Sequence, residues 1–161
     1  MKAYLISLPI TLIFLACSSS DEKSGVGSNA ISTSEVQEGK KEENPAYDPN
    51  RGAGKFSNIS LSEKLDASLA VTGAKVYGVK CGSCHKLTDE RLVGPGWKGV
   101  TGRHKPEWIL NFVTNTDEMI TKDPKAQAQL EICLVRMPNQ NLSDADAMSL
   151  LEFMRKNDGI K

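Results

Sequence analysis

Cys81-Gly82-Ser83-Cys84-His85 is the stretch on which the reading of this chain turns. Its pattern, Cys-x-x-Cys-His, is the attachment signature of a c-type haem. Two thiols one helical turn apart can add to the two vinyl groups along one porphyrin edge, giving two thioethers. The histidine that follows at once can bring its imidazole to the iron as proximal ligand. Gly82 and Ser83 are too small to obstruct the ring. A thioredoxin-type redox pair would sit in a βαβ pattern, and none surrounds this motif. Structural zinc would need two more ligands, and only Cys133 and His104 remain, far apart and in no second pair. One covalent haem c is therefore expected, held by Cys81, Cys84 and His85.

The start of the chain says where this chemistry would take place. Lys2 precedes an apolar run from Leu5 to Leu15, too short for a typical membrane span and right for the core of an export signal. The run ends Phe14-Leu15-Ala16-Cys17, which resembles a bacterial lipobox apart from Phe14 in the usual place of Leu. Residues 1–17 are accordingly expected to be a lipoprotein signal peptide, with Cys17 lipidated. Export fits the haem motif, because bacterial c-type haem is attached outside the cytoplasm. Ser18 favours an outer-membrane address, and the run from Ser18 to Glu22 resembles a surface-export signal. Residues 18–57 are rich in Ser, Gly, Glu, Lys and Asn, broken by Asn44-Pro45 and Asp48-Pro49. They read as a flexible linker with a reach of roughly 35 Å.

From residue 58 to residue 161 the pattern is helical, without a strand-like alternation. A first helix over about 66–80 puts Leu65, Leu69, Gly73, Val76 and Tyr77 on one face. Gly73 inside it suggests a close helix crossing, since glycine there costs about 1 kcal/mol relative to alanine. Residues 92–100, rich in Gly and Pro, read as a loop. Pro106 opens a segment carrying Trp108, Ile109, Phe112 and Val113. Asp123-Pro124 opens another, with Ala126, Leu130, Cys133 and Leu134 on one face. Ser143 caps the last helix, which carries Asp144 and Asp146 early, Ala147, Leu150, Leu151 and Met154 inside, and Arg155 and Lys156 late, ending near Gly159. Aromatic residues make up only 6% of the chain, so the core is modest and a covalent macrocycle would enlarge it.

A low-spin haem needs a second axial ligand. Met137 is favoured, because Pro138 stiffens the backbone and biases Met137 toward an extended conformation in a polar loop. His104 stays open as an alternative, as does Met119 in its polar stretch. Met154 falls on the packed stripe of the last helix. Cys133 reads as a small buried hydrophobe.

Several segments together resemble a class I, mono-haem cytochrome c, in its bacterial lipoprotein form. Gly73 and Tyr77 precede Cys81 as a glycine and an aromatic precede the motif in that family's first helix. Gly94-Pro95-Gly96-Trp97-Lys98-Gly99-Val100-Thr101-Gly102-Arg103 is similar to the family's Gly-Pro-x-Leu-x-Gly-x-x-Gly-Arg loop, with Trp97 in place of Leu. Met137-Pro138 and Leu142-Ser143-Asp144 resemble the axial methionine and the cap of the last helix. The resemblance implies an all-α class I cytochrome c fold, its helices packed around one covalent haem. It implies that Pro95 accepts from the Nδ1 of His85, that Arg103 bonds a haem propionate, that Met137 is the axial sulfur and that Phe153 meets Gly73. Trp108 could bond a propionate through its indole N–H, or could be core.

The expected function is that of a membrane-tethered carrier of single electrons, to or from a periplasmic or surface respiratory reductase or a terminal oxidase. Two protein ligands leave no open iron position, so an enzyme is not expected. The alternative is a haem sensor or peroxidase-like domain with a labile sixth ligand. The chain is expected to be monomeric, lipid-anchored and in contact with a redox protein. Its 20 basic and 20 acidic residues balance, and nothing points to nucleic acid. Between residues 75 and 105, seven basic residues face two acidic ones, while residues 107–131 hold five acidic and two basic. A basic rim around the haem edge could steer an acidic partner, and an ordinary solvated surface would read the same way.

Overall fold

A computed structural model describes residues 47–161. The expected signal peptide over residues 1–17, the expected lipidation at Cys17 and residues 18–46 of the expected linker lie outside the described residues. The described residues form six α-helices and no strand. These are α1 (Ala67–Val76), α2 (Val100–Arg103), α3 (Pro106–Thr114), α4 (Thr116–Lys122), α5 (Pro124–Cys133) and α6 (Asp144–Asn157). A π-turn, Tyr77–Cys81, continues α1 into the cysteine motif.

Helix α6 forms as its sequence demands. The Ser143 hydroxyl accepts from Asp146 N at 3.1 Å and caps the helix, two acidic residues sit in its first turn, and Arg155 and Lys156 in its last. Ala147, Leu150, Leu151 and Met154 recur at helical spacing and are all buried. Helix α1 crosses α6 at Gly73. A Cβ on Gly73 would lie 2.0 Å from Ser149 O and 2.8 Å from Phe153 Cβ, so no larger residue fits. This approach also corrects the face expected for α1. Ala70 and Gly73 are the buried pair, while Leu69 lies 36% exposed. Small residues win the inner positions because the helices touch through backbone.

Two further differences have physical causes. Met119, expected in a polar stretch between helices, lies on α4 and is wholly buried. With only Met119 and Ile120 apolar, this helix is too short to show a period. Leu134, expected on the packed face of α5, is exposed, because it leaves the helix in a left-handed conformation with φ 59°.

The linker boundary at residue 57 also needs correction. Residues 47–59 are packed against α3, α4 and α5 rather than hanging as a tether. Gly52 lies over Met119, and Ala53 N donates to the Met119 sulfur at 3.0 Å. The buried Asn111 side chain accepts from Phe56 N at 2.8 Å and donates to Arg51 O at 2.9 Å and Phe56 O at 3.0 Å. Ile59 N donates to Glu107 at 2.7 Å. The segment is polar in composition because backbone groups and one amide hold it, where a sequence reading looks for apolar anchors.

Near the other end of the domain, Arg155 and Glu152 form a buried pair at 2.5 Å. Glu152 also accepts from Asp66 N at 3.1 Å, and Arg155 donates to Ser62 O. The pair staples the entry of α1 to α6.

Gly73→Ala should therefore force α1 and α6 apart, because the obstacle is a backbone carbonyl that cannot rotate away. A loss of about 3 kcal/mol is expected in urea unfolding of the holoprotein. An unchanged midpoint would mean the crossing is looser than described. Asn111→Ala should leave one buried N–H and two carbonyls without their partner, costing about 3 kcal/mol. It should also open residues 47–59 to limited proteolysis, and protection equal to the parent protein would refute the strap.

Candidate haem site

The π-turn sets the cysteine motif. Gly82 N donates to Tyr77 O at 2.8 Å, and Cys84 N and His85 N both turn back to Cys81 O, at 3.0 and 2.9 Å. This tight turn places Cys81, Cys84 and His85 on successive corners of one loop. The Tyr77 hydroxyl closes it, donating to His85 O at 2.6 Å. Cys81 is buried, which pushes its thiol up to about 11, and Cys84 is half-buried.

The His85 ring is oriented from behind. Its Nδ1 lies 2.9 Å from Pro95 O, so the ring donates there and presents Nε2 as a bare nitrogen. Burial holds its pKa below the ordinary imidazole value, which keeps the ring neutral, although the Pro95 contact pulls the other way. Gly94 has a steric reason to be glycine, since a Cβ there would lie 2.3 Å from His85 Cε1. Trp97 is buried between Tyr77 and His85, with ring centroids 5.1 and 5.4 Å away.

Residues that the sequence reading did not single out carry this loop. Asp158, just past α6, accepts from Gly99 N at 2.6 Å, Thr101 N at 2.9 Å and the Thr101 hydroxyl at 2.6 Å. Asn157 donates to Leu87 O at 3.0 Å. Their only sequence signal was an Asn-Asp-Gly helix end, which ordinarily reads as a turn. The end of α6 thus holds the loop that holds Pro95.

His85 opens into a cavity of about 430 Å³, mostly apolar, whose walls include Cys84, Pro95, Trp97, Ile109, Leu130 and Met137. That volume is in the range of about 300–1,000 Å³ that ligand pockets occupy. Met137 lies on the wall of the same cavity. Met119 does not line it and is committed to the strap at Ala53. Cys133 is half-buried on the cavity wall rather than in the core. His104 also lines the cavity, with its ring stacked on Trp108 at 3.9 Å.

Behind the part of the cavity wall formed by Trp108 and Ala126 lies Asp123. This wholly buried carboxylate caps α5 by accepting from Ala126 N at 2.8 Å, and it also accepts from the Tyr47 hydroxyl and from Trp108 Nε1 at 3.0 Å. The Trp108 indole is therefore spoken for and belongs to the core. Arg103 lines the cavity and turns its guanidinium back to Gly96 O at 3.0 Å and to Lys98 O, which leaves further N–H groups for an anion. The basic residues of 75–105 are spread over separate contacts. Lys86 pairs with Glu90 at 2.6 Å, Lys98 lies 3.9 Å from Asp89, and Lys80 and Arg91 donate to Gln140 O and Ile132 O.

These residues fit a haem. Two thiols stand beside a neutral, oriented imidazole, a thioether sulfur lies on the wall of the same cavity, and an arginine lies at its edge. Among the described residues no cluster of His, Cys, Asp and Glu could hold a bare metal ion instead.

Comparison with known proteins agrees. The family model described as Cytochrome c matches residues 70–158. The chain is 33% identical to a cytochrome c from Rhodothermus marinus, over 65% of this chain and 90% of that one, with a TM-score of 0.63. An engineered form of the Rhodothermus marinus protein is 32% identical, over 69% and 98%, with a TM-score of 0.65. That engineered protein bound to a carbene intermediate is again 32% identical over the same shares, with a TM-score of 0.62. A search of curated proteins finds no match. The family match spans more than half of the chain and takes in the whole cysteine-to-α6 frame that builds the cavity, so the chain belongs to the cytochrome c family, whose members bind haem c covalently.

Proposed function

We propose that this chain is a mono-haem electron carrier. Cys81 and Cys84 would hold the haem through thioethers, His85 and Met137 would hold its iron, Pro95 orients His85 and Arg103 would bond a propionate. The observation that carries this reading is one cavity bounded by His85, its Nδ1 engaged at 2.9 Å by Pro95 O, and by Met137. When bound, the haem supplies one-electron redox chemistry at its iron. The chain's own residues do the rest. Pro95 O accepts a hydrogen bond from Nδ1–H and so aims the Nε2 lone pair into the cavity. Trp97 and Tyr77 wall the ring in. The apolar lining excludes water, which favours the less charged, reduced state. A soft methionine sulfur favours it further, raising the potential relative to two histidines.

With His85 and Met137 both holding the haem, the chain would carry electrons rather than transform a substrate. A second reading, a sensor or peroxidase-like domain with a labile sixth ligand, has one observation in its favour: the carbene intermediate bound to an engineered relative. The export signal supports a chain anchored to a membrane, the outer membrane in the first instance, through a lipidated Cys17. Residues 18–46 would then be the spacer. No helix among the described residues is long and apolar enough to cross a membrane. The partner would be a respiratory reductase or terminal oxidase on the periplasmic side or at the cell surface.

The deciding measurement is the optical spectrum of holoprotein matured with the haem-attachment machinery. A thioether-type haem with the weak far-red iron–sulfur band is expected in the oxidised form, and Met137→Ala should lose that band. Persistence of the band in Met137→Ala would remove Met137 as ligand. A high-spin parent protein would favour the sensor or enzyme reading. Gly94→Ala tests the other face. Its Cβ, 2.3 Å from His85 Cε1, should displace the imidazole and raise the high-spin fraction in resonance Raman spectra. A spectrum like that of the parent would show that the ring is not held as tightly as its contacts imply.

A further inference from the structure

We propose that His104 is a haem-binding residue, donating its Nε2–H to a haem propionate. This inference rests on the haem-carrier reading above and adds a group to it. Two roles were open at this end of the cavity from sequence alone: Trp108 as a propionate donor and His104 as an axial ligand. The geometry takes the first role from Trp108 and gives it to His104. The Trp108 N–H is consumed by Asp123 at 3.0 Å, and His104 lies flat on the Trp108 ring at 3.9 Å, on the wall of the cavity.

The ring's own hydrogen bonding points the same way. His104 Nδ1 is buried and has no hydrogen-bond partner among the described residues. A buried N–H without an acceptor is rarer than a buried acceptor without a donor. The proton of the neutral ring therefore sits on Nε2, the nitrogen that is not enclosed. Burial, together with the cations of Lys125 and Arg103, pushes the His104 pKa down to about 4 despite Asp123, so the ring is a neutral donor at ordinary pH.

The neighbourhood calls for an anion. Asp123 already accepts from Tyr47, Trp108 and Ala126 N. Lys125 donates to Pro49 O at 3.0 Å and Arg103 to Gly96 O at 3.0 Å, so both cations are turned to neutral carbonyls. A carboxylate entering from the cavity would meet the Arg103 cation and one ring N–H, with the Lys125 charge felt from outside the cavity wall. His104 is held for this task by its stack on Trp108, and Trp108 by Asp123.

The test uses the full holoprotein. In ferrous, ¹⁵N-labelled protein, long-range proton–nitrogen correlation should show the Nε2–H tautomer at His104. That proton should exchange slowly with water and show a nuclear Overhauser effect to a propionate methylene. An Nδ1–H tautomer, or an Nε2–H exchanging freely with no such effect, would overturn the proposal. Variants give an independent readout. Gln can place an amide N–H near the Nε2 position and Asn cannot reach it. His104→Gln should keep the parent midpoint potential, while His104→Asn and His104→Leu should both shift it downward, because an unpaired carboxylate stabilises ferric iron. Equal potentials in all of them would refute the hydrogen bond. Should the variants fail to fold, the tautomer and the Overhauser effect in the parent protein still decide. The far-red iron–sulfur band separates the two layers of argument: its presence without the His104 contact sinks this proposal alone, and its absence sinks the ligation reading.

Discussion

The approach of α1 to α6 at Gly73 is the constraint on which the rest depends. A carbonyl of one helix sits where a side chain of the other would be. That contact fixes the direction in which α1 leaves the crossing, and the π-turn at its end converts that direction into the placement of Cys81, Cys84 and His85. The same α6 that receives Gly73 ends in Asn157 and Asp158, which bind the loops running behind His85. One helix thus positions the motif from one end and its supporting loop from the other. The two need no direct agreement in sequence, because both are referred to a common frame.

Legibility followed the range of the interaction. The helix caps at Asp123 and Ser143, the first-turn prolines and the stripe of α6 are local signals, and each stands where its residues indicated. The cysteine motif and the Gly94–Arg103 loop carry their chemistry in consecutive residues, so they could be read without a structure. What stayed hidden was held by pairings across the chain. Asn111 binds backbone some 55 residues away, and an amide in the middle of a helix gives no hint of that. Asp158 reads as a helix end and acts as a clamp on a loop. Helix α4 is too short for its period to show. Sequence patterns report which faces are apolar; they do not report which buried polar group answers which backbone atom.

The strap of residues 47–59 illustrates why composition misleads. It has the glycines and asparagines of a linker, but both of its glycines serve close approach. Gly52, with φ 74°, lets the backbone lie on Met119, and Gly54, with φ 156°, lets it lie on Asn111. Burying backbone requires that its N–H and C=O groups be answered, and Asn111 answers three of them at once. The strap also brings Tyr47 to Asp123. The segment preceding the domain therefore helps to hold the carboxylate that anchors Trp108 on the cavity wall, and the domain begins earlier than its apolar pattern does.

The two faces of the cavity are built to different standards of rigidity. Behind His85 stand the half-buried Pro95 and Gly94 and the buried ring of Trp97, and Asp158 secures the loop behind them with three hydrogen bonds. The segment bearing Met137 has no such backing. Its ties run through exposed cations: Lys80 to Gln140 O, Arg136 to Asp117, and Arg91 to Ile132 O at its foot. Ion pairs and single hydrogen bonds at such exposure hold weakly, because water and salt compete for both partners. The imidazole face is thus fixed by packing, while the sulfur face depends on a loop that a modest free energy could move. A fold built in this way would keep His85 in place whatever group approached from the opposite face. Whether one of its members carries electrons or admits an outside ligand then becomes a question about one short loop, and the helical frame can serve either use unchanged.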